Sequence, residues 1–479
     1  MATAQEVTKP HIAVLSTPGI GNLVPLLEFA KHLVIHHNVH VSFLVINTEA
    51  PTMQHRLLNS ATLPTHLQVV NLPPVDVTSF VNDNMDVLTR VSYICQESLK
   101  PLRATLIELN LPKALIIDIF TTDAFLICKE LGIPVYSFFT SPTKFLALSL
   151  CLPKLDKEIE CEYVDLPEVQ VPGCKPVRTD DLVEHLLNRK DEEYRCFLRH
   201  VSRLTMAAGV FVNTWDDLEL KSSWFNGIKN DPFYKTLPAP PVYPVGPLIK
   251  RDEAVTEPDE YIISWLNNQS PNSVLLVSLG SGGTLTTEQL TELAWGLEMS
   301  KQKFILVVRK PNDFSACGTF FDAGSDGEDP ESYLPEGFVK RTAEVGLVVP
   351  SWAPQVPILR HEAVGGFLSH CGWNSILESI VNGVPMIAWP LYAEQKMNAT
   401  LLTEEIAVAV KPIEVSREVR GKKLVKREEI ERVVKLLIGG EEGKAMRGKA
   451  NELKESASKA LKFGGSSYDL ISSVVESWK

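Results

Sequence analysis

Nowhere in this chain are two cysteines spaced as Cys-x-x-Cys or two aspartates as Asp-x-Asp. The eight cysteines, at positions 95, 128, 151, 161, 174, 196, 317 and 371, are scattered through 479 residues. That excludes a disulfide framework and a zinc ribbon, and predicts reduced, mostly buried thiols in the cytoplasm. Without an Asp-x-Asp pair to chelate an ion, no metal is expected. A dense Lys/Arg run is missing too, and the formal charge is −12. Nucleic acid as a partner is thereby excluded, since phosphates need a basic face. The opening MATAQEVTKPHIAVLS has no basic segment followed by an apolar core, so no signal peptide is expected. No stretch reaches the about 18 apolar residues of a membrane span. What is present, 44% hydrophobic and 22% charged residues, describes a globular protein long enough for two domains.

Short β-branched runs alternate with helical patterns, the signature of parallel α/β sheets. In the first half they fall at 11–16, 41–46, 67–72, 114–118, 134–139 and 209–214; in the second at 273–280, 303–309, 346–351, 365–369 and 385–389. Helical patterns such as Asn22–Val34, Glu288–Met299 and Arg427–Ile438 lie between them. The Pro-rich segment 237–254 reads as a linker that continues neither helix nor central strand. The expected division is 1–245, 246–460 and a closing helix in 461–479, with Leu470, Ile471, Val474, Val475 and Trp478 at helical spacing. Residues 153–200 read as an irregular insertion walling one side of a site, and the Gly/Asp-rich 310–335 as a mobile one.

Trp352 to Gln395, WAPQVPILRHEAVGGFLSHCGWNSILESIVNGVPMIAWPLYAEQ, is the most informative stretch. It offers a flat aromatic, then His, Gly, Asn and Ser opening a helix, a carboxylate one turn on, and an acid–amide pair. A nucleotide sugar presents a base, a diphosphate, a ribose and a hexose to such groups. Gly372 admits a phosphate close to the backbone, and Asn374 and Ser375 sit where free N–H groups favour an anion. The stretch resembles, without a gap, the donor-binding signature of plant secondary-product glycosyltransferases, the family 1 UDP-glycosyltransferases. The resemblance implies a GT-B fold of two Rossmann-like α/β domains facing across a cleft, with UDP-glucose as donor and no metal. It puts Trp352 and the Ala353 backbone on uracil, Gln355 and Glu378 on ribose, His370 on the diphosphate, and Trp373, Glu394 and Gln395 on the hexose. Ser281, in the Gly-rich turn VSLGSGGTLTTEQL, is expected at the β-phosphate, and Ser141 near the hexose.

Inverting glycosyl transfer needs the acceptor hydroxyl deprotonated as it attacks, and a general base contributes about 10²–10⁴ in rate. In this family the base is a His in the first βα loop, oriented by an Asp from a later strand end. Here that loop, STPGIGNLVPLLEFAKHL, has Asn22 at the base position, while Asp118 survives after ALII. An amide accepts no proton at neutral pH. His32, His36 and His37 lie further along the helix and are not in register. Four accounts fit these residues: Asp118 as base, directly or through water; an acceptor acidic enough to need little help; a base removed by engineering; or a protein that binds with little turnover. Gly19 and Gly21 fit G-x-G, but Val24 stands where a dinucleotide fingerprint needs glycine.

Segments such as LPKALIIDIFTTDAF, LPKLDKEIECEY and WPLYAEQKMNA are similar to the branch of hydroquinone and monolignol glucosyltransferases. That similarity implies a small phenolic acceptor (a monolignol, simple phenol or coumarin) walled by Gly19, Phe120, Phe139 and Phe145. The expected protein is therefore a cytoplasmic, monomeric, metal-independent UDP-glucose:phenol O-glucosyltransferase of atypical base. A catalytically impaired member, or a nucleotide-sugar-binding protein, is the alternative.

Overall fold

The computed structural model describes residues 9–479 apart from 60–62, 83–84, 221, 238, 251–254, 322–328 and 420–421. Two parallel sheets carry the chain. The first contains β1 (His11–Ser16), β2 (His40–Val45), β3 (Leu67–Asn71), β4 (Leu115–Ile117), β5 (Val135–Phe139), β6 (Gly209–Val212) and β7 (Val242–Pro244). The second contains β8 (Val274–Ser278), β9 (Lys303–Val308), β10 (Gly346–Pro350), β11 (Val364–Ser369), β12 (Met386–Ala388) and β13 (Ala409–Val410). Their orders are β3-β2-β1-β4-β5-β6-β7 and β10-β9-β8-β11-β12-β13, so each sheet reverses its winding beside its own first strand. At such a switch point adjacent loops diverge and leave a crevice at the carboxyl ends of the strands. The architecture is GT-B: two Rossmann-like α/β domains.

The strands read as unbroken apolar runs because both faces are covered by helices. In β1, Ile12, Ala13, Val14 and Leu15 are all fully buried. The Pro-rich segment is more than a linker: Val242–Pro244 pairs parallel with β6 as the edge strand β7. Proline is tolerated there because no further strand needs its missing N–H. Beyond it, buried Asn213 grips the chain, donating to the Leu248 carbonyl at 2.8 Å and accepting from the Leu248 N–H at 2.7 Å. The two-residue strand β13 was not anticipated.

Both expected insertions take up definite positions. The first is irregular as expected: between α2 (Thr143–Glu158) and α3 (Glu192–Ser202) it holds short helical turns and a small antiparallel pair, Glu168–Val169 with Val177–Arg178. In the second, Asn312 N–H donates to the Leu285 carbonyl and Thr284 N–H to the Ala316 carbonyl, both at 2.9 Å. Phe320 and Phe321 pack against the core of the first domain, while 322–328 lie outside the described residues. The closing helix Ser466–Glu476 returns to the first domain, where Ile471, Val474, Val475 and Trp478 are buried beside Phe29 and Tyr136. All eight cysteines are free thiols, five of them buried. Among the described residues no helix is long and apolar enough to cross a membrane.

Trp478 is 3% exposed and meets Tyr136 edge-on at 5.6 Å. Trp478→Ala should therefore lower stability by about 3–5 kcal/mol, seen as an earlier unfolding midpoint in denaturant.

Candidate active site

Between the two switch points lies a cavity of about 1340 Å³, lined by residues of both domains. That exceeds the roughly 300–1,000 Å³ of a pocket for one small ligand, so two ligands can occupy it together. Its second-domain wall is built from the loops after β8, β9, β10, β11 and β12. Ser281, Trp352, Ala353, Gln355, His370, Gly372, Trp373, Asn374, Ser375, Glu378, Glu394 and Gln395 all lie on it, with Ser141 opposite.

Gln355 opens the helix Gln355–Arg360, and its amide donates to Glu378 Oε2 at 2.6 Å and to Ser375 Oγ at 2.9 Å. Residues far apart in sequence thus form one hydrogen-bonding cluster, as a pair sharing vicinal hydroxyls requires. The His370 ring is clamped, since a Cβ at Gly280 or Gly372 would overlap it. Gly280 also has φ +75°, which favours glycine. Burial and the nearby Arg309 push the His370 pKa down to about 4. The imidazole is therefore neutral at pH 7, and its buried Nδ1 has no hydrogen-bond partner among the described residues.

Three residues differ in detail from expectation. Trp373 is 2% exposed, and its indole N–H is committed to the Asn213 carbonyl at 2.9 Å, so it serves the domain junction more than an open sugar wall. Asn374 directs its amide across the cleft to the Gly21 carbonyl at 2.8 Å. That acceptor is available because Pro25, four residues on in the helix α1 (Ile20–His37), has no N–H to bond it. Gln395 spends its carbonyl on the N–H groups of Leu391 and Tyr392 at 2.9 and 3.0 Å, leaving only amide donors for a ligand. Glu394 accepts from Ser141 Oγ at 3.1 Å and from the Asn398 amide at 3.3 Å, and burial raises its pKa.

On the first-domain wall, Asn22, Phe120, Phe139 and Phe145 line the cavity, but Asp118 and Gly19 do not. Asp118 is fully buried and accepts from Thr17 N–H (2.6 Å), Thr17 Oγ1 (2.7 Å), Phe120 N–H (3.0 Å) and Thr121 Oγ1 (3.2 Å). Burial raises its pKa against the pull of these donors. Asn22 is joined instead to Thr140, whose hydroxyl donates to its Oδ1 at 2.7 Å. Gly19, at φ +130°, leaves room for the Phe320 ring, 2.8 Å from where a Cβ would stand. Phe139 and Phe145 are core residues with an edge on the cavity, and Phe145 stacks on Phe197 at 5.6 Å. His32, His36 and His37 cluster with one another, and His37 abuts Tyr468 in the closing helix.

Residues 253–419 match the family model described as UDP-glucoronosyl and UDP-glucosyl transferase. A hydroquinone glucosyltransferase of Rauvolfia serpentina is 44% identical, over 98% of this chain and 98% of the relative. The crystal structure of TcCGT1 in complex with UDP matches with a TM-score of 0.90 at 43% identity, covering 98% of this chain and 99% of that one. Phytolacca americana UGT2, complexed with UDP-2fluoro-glucose and pterostilbene, matches with a TM-score of 0.85 at 42% identity, over 98% and 99% of the chains. The chain belongs to the plant UDP-glycosyltransferases.

For a UDP-glycosyltransferase of net charge −12, Arg309 is the functional candidate that sequence reasoning missed. It follows β9 on the cavity wall, where a single charge ending an apolar strand at a sheet's carboxyl edge was the available signal. Its guanidinium donates to the carbonyls of Ser351 (3.0 Å) and Ser281, and stands 6.0 Å from the Trp352 ring centroid. Among the described residues no carboxylate pairs with it, and burial lowers its pKa to about 10, so it remains charged at neutral pH. Trp352 also packs against Ile20 and Met53 of the first domain. No group of three or more His, Cys, Asp or Glu side chains suited to a metal occurs among the described residues.

Arg309→Met should weaken UDP-glucose binding about 10- to 100-fold, as expected for loss of a charge-assisted hydrogen bond. Calorimetric titration with UDP-glucose, in the absence of acceptor, measures it.

Proposed function

We propose that this UDP-glycosyltransferase moves glucose from UDP-glucose to a small phenol with inversion and without a metal, as a cytoplasmic monomer. Residues 1–245 receive the acceptor, residues 246–460 hold the donor, and residues 461–479 tie the two. The carrying observation is the convergence of Gln355, Glu378, His370, Arg309 and Glu394 on one cavity that also holds a separate aromatic end. Trp352 and Ala353 face uracil, Gln355 and Glu378 the ribose, and Ser281, His370 and the α5 (Trp373–Asn382) N-terminus the diphosphate. Glu394, Gln395 and Ser141 face the hexose. Departing UDP is stabilised by N–H donors and the Arg309 charge, a preorganised arrangement that acts where negative charge grows.

Asn22 shapes how the acceptor loses its proton. Asp118 stands off the cavity wall with its oxygens engaged by four donors, which speaks against its direct action as base. The reading best supported is an acceptor acidic enough to ionise with little help; phenols start near a pKa of about 10 and conjugation lowers it. The hydroquinone-glucosylating relative agrees with a phenolic acceptor. Glucoside formed from UDP-glucose and a phenol panel tests the transfer itself.

Asn22→His should raise kcat on weakly acidic phenols by roughly one decade or more, within the range of a general base. The slope of log rate against acceptor pKa should flatten in that variant. An unchanged slope would instead mean that the loop no longer positions a base there.

The His370 pKa near 4 gives a second test. A bound diphosphate favours the imidazolium, so binding takes up a proton wherever the bound pKa exceeds the free one. UDP-glucose affinity should therefore rise as pH falls from 7 towards 5, and His370→Gln should abolish that trend in calorimetric titrations.

A further inference from the structure

The first-domain wall of the cavity carries a cluster of negative charge. Asp86, Glu184 and Glu193 line it together with Phe145, His185 and Phe197. Glu184 already has partners, Lys396 at 3.8 Å and the Ala393 N–H, which place it next to Glu394. Glu193 has none: no hydrogen bond or ion pair engages it among the described residues. Arg90, the cation on this wall, is matched by Glu49 at 2.8 Å. His185 is over nine-tenths buried on the same wall, its ring centroid 4.1 Å from that of Phe197, and its Nε2 lacks a partner among the described residues. Buried His185 and half-buried Glu193 are thus both left with nothing to bond among the described residues. A buried polar group left unpaired costs free energy that a complementary ligand recovers.

Resting on the glucosyltransferase reading, we propose that this chamber selects phenols whose tail carries an ammonium or donates a hydrogen bond, and rejects those with a carboxylate tail, with Glu193 as the discriminating side chain. An ammonium gives Glu193 the partner it lacks. A carboxylate tail would enter a field set by Asp86, Glu184 and Glu193, where the neighbouring cations Arg90 and Lys396 are already paired with Glu49 and Glu184, and like charges at low dielectric repel strongly. Burial, with Asp86, Glu184 and Asp191 adding repulsion, pushes the Glu193 pKa up to about 7. At pH 8 it is therefore mainly ionised, and a bound ammonium would hold it so.

Three phenols of matched size test this at pH 8: 4-(2-aminoethyl)phenol, 4-(2-hydroxyethyl)phenol and 4-hydroxyphenylacetate. The expected order of kcat/KM with UDP-glucose is amine, then alcohol, then acid. In Glu193→Gln the amine-to-acid ratio should fall at least about tenfold, more than an exposed ion pair would give. Glu192→Gln is the control, since Glu192 is exposed, pairs with Arg195 at 2.7 Å and lies off the cavity wall. It changes the charge of the same helix turn and should leave the ratio alone. Acceptor affinities from tryptophan fluorescence quenching run in parallel. Equal affinity for amine and acid overturns the selectivity, as does an equal fall in the ratio for both variants. Ordered affinities without any glucoside would uphold the selectivity and overturn the transferase reading.

Discussion

The bond from the Trp373 indole N–H to the Asn213 carbonyl, buried at 2.9 Å, sets how the two sheets face each other. Asn213 follows β6 and its side chain grips Leu248 on the crossover, while Trp373 opens the helix behind the donor-side crevice. One contact therefore couples the edge of the first sheet, the connection between domains and the switch point of the second. Asn374, the next residue, reaches Gly21 beside Asn22. Donor-side residues thus position the acceptor loop, and the cleft is a joint product of both domains.

Electrostatically the cleft is divided. Its second-domain wall holds Arg309, with which no carboxylate pairs among the described residues, and His370 kept neutral, together with the carboxyls of Glu378 and Glu394, so an anion is met there by a local positive charge although the whole molecule is acidic. Its acceptor end holds carboxylates and aromatic rings. A charge of −12 spread over the surface is screened by salt over about 10 Å, so buried local groups decide which ligand end goes where.

The fold was largely legible because each buried parallel strand must be apolar on both faces, as β1 and β8 are. The edge strand β7 escaped notice because its prolines read as a break, and β13 because two residues leave no pattern. The residues proposed to hold the donor were legible as a contiguous motif: one strand–loop–helix unit brings His370, Gly372, Ser375 and Glu378 to the same crevice. Residues arriving singly from other elements, such as Arg309 and Thr140 from loops and Glu193 from the first turn of α3, carried no motif of their own.

The sequence by itself determined two Rossmann-like units and the family, since strand periodicity and a gapless motif are local properties. It also raised the question of Asn22, because an amide in place of a base is visible in one letter. Tertiary structure decided what surrounds that letter. Thr140 takes the Asn22 carbonyl, Thr17 and Phe120 hold Asp118 away from the cavity, and Glu193 has no partner among the described residues. Those outcomes depend on which loops of the first domain meet, and contacts such as Thr17 to Asp118 and Thr140 to Asn22 join residues more than a hundred positions apart and leave no spacing to read.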